Sequence, residues 1–254
     1  MEEKSIDISR GKMTYLVCGN GPPLVFLHGG LSSARGYIPF IELLGKSFRV
    51  IAPTHPGHGD SFALPKKWEL DDFGSSYHDF FETLNLGPVP VVGHSFGGTI
   101  GFLLASRRDA SSLIVMDSLG LPISLSMKKY VQALTHEGKA MLAGIKKRKQ
   151  FTDMLSSSST ILYSSMKHPE NASWLHSYGP NLDMRDILTS LTCHVDLLWG
   201  EDDAIVPVAI GYEMHRMLRD STLTIFPDKG HTYMVTDPEF ACSEILLRCR
   251  TIAR

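Results

Sequence analysis

The sequence predicts an α/β protein built on a doubly wound, mostly parallel sheet, with a helical cap inserted after the sixth strand. Three observations lead to this prediction. Short apolar runs alternate with runs at helical spacing through most of the 254 residues, which is typical of parallel strands joined by helices. A glycine-rich turn around Ser95 connects one apolar run directly to an apolar helix. The alternation stops at about residue 120 and resumes at about residue 186.

The first half of the chain supplies six of the predicted strands. A strand pair is predicted over Lys4–Ser9 and Lys12–Cys18, because glycine turns bound both runs. Leu70–Asn85 is predicted as an amphipathic helix, since Phe73, Tyr77 and further apolar residues recur at helical spacing. The other predicted elements are strand Pro23–His28, helix Ala34–Leu44, strand Phe48–Ala52, a strand from Val89, helix Thr99–Arg107 and strand Leu113–Met116.

The second half of the chain begins with the interruption. Residues 120–185 are helical in pattern and rich in serine and methionine, which indicates an insertion over the sheet and not a second core. The predicted core therefore comprises residues 1–119 and 186–254, and residues 120–185 form a helical cap or lid. After the insertion the predicted elements are strand Val195–Trp199, a helix ending near Leu218, strand Thr222–Phe226 and helix Pro238–Arg250.

The composition is that of an ordinary globular protein, with 43% hydrophobic and 20% charged residues. The net charge of −2 gives no reason to expect a nucleic acid or an acidic partner surface. No run approaches the ~18 apolar residues of a membrane span, and the first residues lack the basic start and apolar core of a signal peptide. We therefore expect a cytoplasmic protein that acts on a small molecule, and its oligomeric state stays open.

The cysteines and histidines do not indicate a metal or redox site. Cys18, Cys193, Cys242 and Cys249 have neither metal-ligand nor redox spacing, so they are predicted to be reduced packing residues. No histidine pairs with another histidine, a cysteine or a carboxylate in a known ligand spacing. We expect neither a metal nor a cofactor.

The predicted site is organised around the stretch Gly93-His94-Ser95-Phe96-Gly97. A buried strand precedes it and an apolar helix follows it, which is the setting of a nucleophile elbow. Its glycines let the strand and helix backbones pass closely. Ser95 is then placed at the carboxyl end of the sheet, beside the N–H groups and the positive end of the helix. Ser95 is therefore the candidate nucleophile.

A serine nucleophile needs a base that accepts its proton and an acid that orients the base. His231 follows the last predicted strand and is the candidate base. Three carboxylates stand near strand ends: Asp202 and Asp203 follow the seventh strand, and Asp117 follows the sixth. Asp202 and Asp203 also suit the cap of the next helix, so the choice of acid stays open at this point.

The oxyanion of a tetrahedral intermediate needs two fixed donors. The N–H of Phe96, directly after the nucleophile, is one candidate. The N–H of Gly30, in the loop that follows the third strand, is the other. His28, Gly29 and His94 neighbour the same site and are candidates for contact with the substrate. For the two histidines, structural hydrogen bonding is favoured over a catalytic role.

Five motifs occur in an order that resembles the α/β-hydrolase superfamily, in its capped single-domain group, along nearly the whole chain. They are His28-Gly29-Gly30, Gly57-His-Gly-Asp-Ser61, Gly93-His-Ser-Phe-Gly-Gly98, Gly200-Glu-Asp-Asp203 with Pro207, and Gly230-His231. The resemblance implies the α/β-hydrolase fold and a catalytic triad of Ser95, Asp203 and His231. In the family the aspartate stands three residues after the glycine and four before the proline, which selects Asp203 over Asp202. Thr54 departs from the pattern, since the family often has Asp there, and this bears on the packing of its loop.

The resemblance implies a serine hydrolase that cleaves a small carboxylic ester or a related acyl compound through an acyl-enzyme. Two alternatives stay open. Relatives with the same triad cleave C–C bonds in diketones, act as lyases or make peracids, and ligand-sensing proteins on this fold also keep the triad. The substrate would be decided by the cap, which is the stretch with the fewest motifs.

Overall fold

The structure is a computed structural model that describes residues 1–65, 68–123, 132–133, 135, 139, 148–171 and 181–252; over 148–157 and 250–252 it describes the backbone alone. The strands of the described residues are β1 Glu2–Ile8, β2 Gly11–Cys18, β3 Pro23–Leu27, β4 Arg49–Pro53, β5 Val89–His94, β6 Ala110–Met116, β7 Val195–Gly200 and β8 Ser221–Phe226. They form one sheet in the order β1-β2-β4-β3-β5-β6-β7-β8. β2 is antiparallel to β1 and β4, and the other pairs are parallel. The predicted α/β fold with a mostly parallel sheet is confirmed.

The helices lie on both faces of this sheet. They are α1 Ile38–Leu44, α2 Leu70–Thr83, α3 Phe96–Ser106, α4 Arg148–Lys167, α5 Arg185–Ser190, α6 Val208–Met217, α7 Tyr233–Thr236 and α8 Pro238–Ile252, and a 3₁₀ helix over Ala34–Tyr37 precedes α1. One apolar cluster packs α1 and α8 against the sheet, and the other packs α2, α3, α5 and α6 against the opposite face.

The division of the core follows from the alternation of side chains along each strand. In β3, Leu24 and Phe26 belong to the cluster with α1 and α8, whereas Val25 and Leu27 belong to the cluster with α2 and α3. All four side chains are fully buried. Strands buried on both faces are near-continuous apolar runs, which explains why the sequence marks them so clearly.

The structure differs from the sequence prediction at several helix boundaries. α3 begins at Phe96 and not at Thr99, because the glycines of the elbow take helical conformation in place of a separate turn. The predicted helix Ala34–Leu44 is divided into a 3₁₀ turn and α1. α5 and α7 are short helices that periodicity did not reveal, since a single turn carries too few apolar repeats.

The predicted cap over 120–185 lies only partly within the described residues. α4 belongs to this segment, and it packs against the 3₁₀ helix and against α7. These two elements follow the loops at the carboxyl ends of β3 and β8. The described part of the insertion therefore contacts elements that follow the loops carrying candidate site residues. The boundaries of the cap stay a prediction, because 124–131 and 172–180 fall outside the described residues.

We predict that Gly97→Ala destabilises the fold much more than Gly87→Ala. A Cβ at Gly97 would overlap the carbonyl oxygens of Leu27 and His28, which belong to the backbone and cannot turn away. We expect the free energy of unfolding to fall by about 3 kcal/mol or more, at the upper end of overpacking costs. A Cβ at Gly87 meets nothing within 4 Å, so that variant is the matched control. Equal urea-unfolding midpoints for the two variants would contradict the close approach of α3 to β3.

Candidate active site

Ser95 lies in a strained turn between β5 and α3. Its backbone has φ 53° and ψ −119°, outside the regions that side-chain-bearing residues usually occupy. The turn is fixed by hydrogen bonds from Ser95 N to Met116 O (2.9 Å) and from Gly98 N to Ser95 O (3.0 Å). The residue is 8% exposed. The strand–turn–helix setting that the sequence predicts for Ser95 is thus present in the structure.

Asp203 and His231 are brought together from two different loops. The Asp203 Oδ2 atom lies 2.8 Å from His231 Nδ1, and both residues are buried. The other carboxylate oxygen of Asp203 accepts the backbone N–H groups of Ile205 and Val206, each at 2.8 Å. These bonds fix the carboxylate, so the imidazole must place its Nδ1–H toward Asp203 and its Nε2 on the opposite side. Asp202, in contrast, is exposed.

Asp117 is also buried, but it has a different described partner. Its Oδ1 accepts the backbone N–H of Gly200 at 2.8 Å, and its own N–H donates to Leu198 O at 3.0 Å. Asp117 therefore joins the end of β6 to the end of β7. Of the candidate acids, Asp203 is the one whose described hydrogen bond is to His231 Nδ1.

The loop after β3 is held on both sides of Gly30. The N–H of Gly29 donates to the Tyr37 hydroxyl at 3.1 Å, and the N–H of Leu31 donates to His58 Nε2 at 3.1 Å. Within the part of the chain that the structure describes, no group accepts the N–H of Gly30. An amide fixed at its flanks and left without an acceptor is suited to bind a developing oxyanion.

Two of the buried histidines around this loop are His28 and His55. His28 Nδ1 donates to Gly29 O (2.7 Å) and His28 Nε2 accepts the N–H of His55 (3.0 Å). His55 Nε2 donates to His28 O (2.7 Å), and His55 Nδ1 accepts the hydroxyl of Tyr77. Each ring has one donor and one acceptor in use, so the partners define a neutral tautomer. Because both ring nitrogens of His28 are engaged by the protein, the geometry favours its structural role over contact with substrate.

His58 and His94 are two further buried histidines around these loops. His58 Nδ1 donates to Pro56 O at 3.0 Å, and its Nε2 is the acceptor described above. His94 Nε2 donates to His231 O at 2.9 Å, and its Nδ1 accepts the Tyr37 hydroxyl at 2.9 Å. The ring of His94 lies 4.8 Å from that of His231, measured between centroids. His94, like His28, therefore joins loops of the site.

Burial holds these four histidines in the neutral form. It lowers the pKa of His58 to about 4. It also lowers the pKa values of His28, His55 and His94 well below their usual range, with a further contribution from neighbouring histidines. The loops of the site are consequently joined by uncharged hydrogen bonds at neutral pH.

The part of the inserted segment from Ser164 to Asn171 is bound to the loop after β4. Ser164 Oγ accepts the N–H of Gly59 (3.2 Å), and His168 Nε2 donates to Gly59 O (3.0 Å). Asn171 Nδ2 donates to His58 Nε2 at 2.7 Å, so His58 connects this segment with Leu31. Thr54, where the resemblance suggested Asp, accepts the N–H of Ala34 through its hydroxyl at 3.4 Å and so keeps a polar contact there.

Sequence analysis did not identify Tyr37, Tyr77 or Asn171 as neighbours of the site. Each contacts a partner at least 22 residues away in the chain, and no motif includes these three residues. In the sequence these residues are marked only by a polar side-chain group, and many ordinary helix positions carry such a group as well.

No three histidine, cysteine or acidic side chains of the described residues come close enough together to hold a metal ion. All four cysteines are free thiols. None of the described helices combines the length and the apolar character needed to cross a bilayer.

Comparison with known proteins identifies the family. A family model described as "Alpha/beta hydrolase family" matches residues 24–244. The 2-hydroxy-6-oxo-6-(2'-aminophenyl)hexa-2,4-dienoic acid hydrolase of Metapseudomonas resinovorans is 25% identical over 93% of this chain and 87% of its own length. A serine hydrolase involved in carbazole degradation is 25% identical, with a TM-score of 0.81 over 96% of this chain and 97% of that one. The esterase RhEst1 of Rhodococcus sp. ECU1013 shares the fold, with a TM-score of 0.82 and 19% identity. The match covers 99% of this chain and 100% of the esterase.

We predict that stability falls when the pH is lowered from 7 to 5. The unfolded chain binds protons at its histidines near pH 6.5, whereas the folded chain keeps His58 neutral down to about pH 4. The stabilisation is therefore complete above about pH 6.5 and is lost as the pH falls toward the folded pKa, at about 2 kcal/mol by pH 5 for His58 alone. The His58→Gln variant should show a shallower loss in urea unfolding at the two pH values. An identical pH dependence in both proteins would show that His58 is not held neutral by the fold.

Proposed function

The chain belongs to the alpha/beta hydrolase family, and we propose that it is a serine hydrolase that cleaves a small carboxylic ester or a related acyl compound through an acyl-enzyme on Ser95. The observation that carries the proposal is the strained backbone of Ser95 at the start of α3. Such strain costs on the order of 1–3 kcal/mol and persists where the surrounding structure imposes it, which is typical of functional residues.

In the proposed reaction, Ser95 Oγ attacks the acyl carbonyl while His231 Nε2 accepts the hydroxyl proton. His231 then returns this proton to the leaving alcohol, and an acyl-enzyme is left on Ser95. A water molecule attacks the acyl-enzyme and gives a proton to His231, which passes it to the Ser95 oxygen as the acid is released. Asp203 keeps the Nδ1–H tautomer and stabilises the imidazolium that forms in each step. The 2.8 Å hydrogen bond from His231 Nδ1 to Asp203 supports this assignment.

The tetrahedral intermediate carries a negative oxygen that would be bound by the N–H groups of Gly30 and Phe96. Phe96 is the first residue of α3, so its amide adds the positive end of a helix that is buried from Phe96 to Ala105. The flanking bonds of Gly29 and Leu31 support the role of Gly30, because they fix the amide before the substrate arrives. We further propose that residues 120–185 cover this site as a cap.

A second candidate function is hydrolysis of a C–C bond in an oxo-dienoic acid by the same three residues. It is favoured by the similarity to the hydrolase of a 2-hydroxy-6-oxo-dienoic acid, which extends over 93% of this chain. The two candidates differ in the electrophile and not in the nucleophile. A panel of p-nitrophenyl esters of increasing acyl length, assayed beside a 2-hydroxy-6-oxo-dienoic acid, separates them by kcat/KM.

We predict that Ser95→Ala lowers turnover by about 10³-fold or more, because the nucleophile is lost while binding is kept. A fluorophosphonate should label the wild-type protein at Ser95 alone, as shown by mass spectrometry of its peptides. Ser112→Ala is the matched control, because Ser112 is also a buried serine, on β6, with no hydrogen-bond partner for its hydroxyl in the described structure. Labelling elsewhere, or substantial activity of Ser95→Ala, would overturn the proposal.

We predict that Asp203→Asn lowers kcat by several orders of magnitude, as an amide at this position favours the wrong tautomer of the base; the same change in a serine protease costs about 10⁴-fold. Asp202→Asn, at an exposed neighbour, should change kcat little. Asp117→Asn should also change kcat little, since an amide oxygen can still accept the N–H of Gly200. A large loss in Asp117→Asn together with nearly normal Asp203→Asn would move the acid to the end of β6.

A further inference from the structure

Tyr37 lies between two loops that the proposed reaction uses. Its hydroxyl accepts the N–H of Gly29 at 3.1 Å and donates to His94 Nδ1 at 2.9 Å. His94 in turn donates from Nε2 to the backbone carbonyl of His231 at 2.9 Å. A continuous series of hydrogen bonds therefore leads from the loop after β3, through the residue before Ser95, to the loop after β8.

The direction of each bond in this series is determined by chemistry. An amide N–H can only donate, so the Tyr37 oxygen is the acceptor toward Gly29 and its proton is available to His94. A carbonyl can only accept, so His94 must carry its proton on Nε2 and present a lone pair at Nδ1. Burial raises the pKa of Tyr37 and lowers that of His94, so both groups keep the neutral forms that the series requires.

The Tyr37 side chain is packed closely at both its hydroxyl and its ring. A Cβ at Gly29 would lie 2.8 Å from the Tyr37 oxygen and 2.9 Å from His94 Nδ1, so the glycine is needed for their approach. The ring itself contacts Phe26 at a centroid distance of 5.2 Å, inside the apolar cluster with α1. A phenylalanine at position 37 would keep this ring contact and remove only the hydrogen bonds.

We propose that Tyr37 is a positioning residue that acts through His94 to align the oxyanion loop at Gly29–Gly30 with the base His231. This inference rests on the proposed function, because it assigns catalytic roles to Gly30 and His231. The two loops approach Ser95 from different strands, and the reaction requires both to be in place at once. Without the hydroxyl, the N–H of Gly29 loses its acceptor, so the oxyanion loop is no longer tied to His94. His94 Nδ1 loses its donor, so the tautomer that donates to the carbonyl of His231 is no longer imposed.

A buried tyrosine can also serve the fold alone, and Tyr77 provides the comparison. Its hydroxyl donates to Nδ1 of a buried histidine, His55, just as that of Tyr37 does to His94. Both tyrosines are buried in apolar surroundings. The His55 ring, however, donates to the carbonyl of His28 and not to the loop of His231. Tyr77→Phe therefore removes a comparable hydrogen bond without affecting the connection to the base.

The test compares Tyr37→Phe with Tyr77→Phe by steady-state kinetics on the best ester of the panel. We expect Tyr37→Phe to lower kcat by about 10- to 100-fold with little change in KM, as for small displacements of reacting groups. Tyr77→Phe leaves the connection from His94 to His231 intact, so it should lower kcat much less than Tyr37→Phe. Wild-type kcat in Tyr37→Phe, or an equal loss of kcat in both variants, would overturn the proposal in favour of a purely structural role.

Nuclear magnetic resonance tests the same inference without turnover. The proton that His231 Nδ1 shares with Asp203 should give a strongly downfield resonance in the wild type and in Tyr77→Phe, and this resonance should broaden or vanish in Tyr37→Phe. In the wild type, ¹⁵N shifts must show His94 protonated at Nε2 alone; any other tautomer would overturn the proposal even if Tyr37→Phe fails to fold. A wild-type protein that shows these resonances but hydrolyses no ester would count against the proposed function and not against the alignment by Tyr37.

Discussion

The close passage of two backbones at the β5–α3 junction is the constraint on which the site depends. α3 starts against the carbonyl end of β3, where a side chain at Gly97 has no space, and Ser95 takes a conformation that serines rarely adopt. The cost of this turn is offset by the burial of α3, whose residues from Phe96 to Ala105 are all buried. The close packing of helix against sheet holds the backbone at Ser95 in this conformation.

The loops around this junction are joined mainly by neutral side chains. His28, His55, His58 and His94 each use one ring nitrogen as a donor and the other as an acceptor, and each joins segments distant in sequence. Neutral hydrogen bonds avoid the desolvation penalty that buried ion pairs carry. They also make the arrangement dependent on pH, since protonation of His28 or His58 would turn its acceptor nitrogen into a donor facing a backbone N–H.

Sequence reasoning reached the strands and the elbow because their signals are local. Apolar runs mark strands buried on both faces, and a glycine on each side of Ser95 marks the turn. The choice of Asp203 over Asp202 came from the resemblance to the family, through its spacing to Gly200 and Pro207; the structure buries Asp203 and exposes Asp202. Tyr37 and Asn171 were missed because their partners, His94 and His58, lie 57 and 113 residues away, and only the fold brings such pairs together.

The neutrality of His94 has a consequence for the proposed base. The two rings lie 4.8 Å apart, so a charge on His94 would oppose the formation of an imidazolium at His231. Mutual repulsion between the two rings is one of the causes that lower the pKa of His94, after its burial. In the proposed reaction His94 therefore remains uncharged while His231 gains its proton, and Asp203 is the proposed ionised partner of His231. The same imidazole can thus hold the backbone of the proposed base in position without placing a second positive charge beside it.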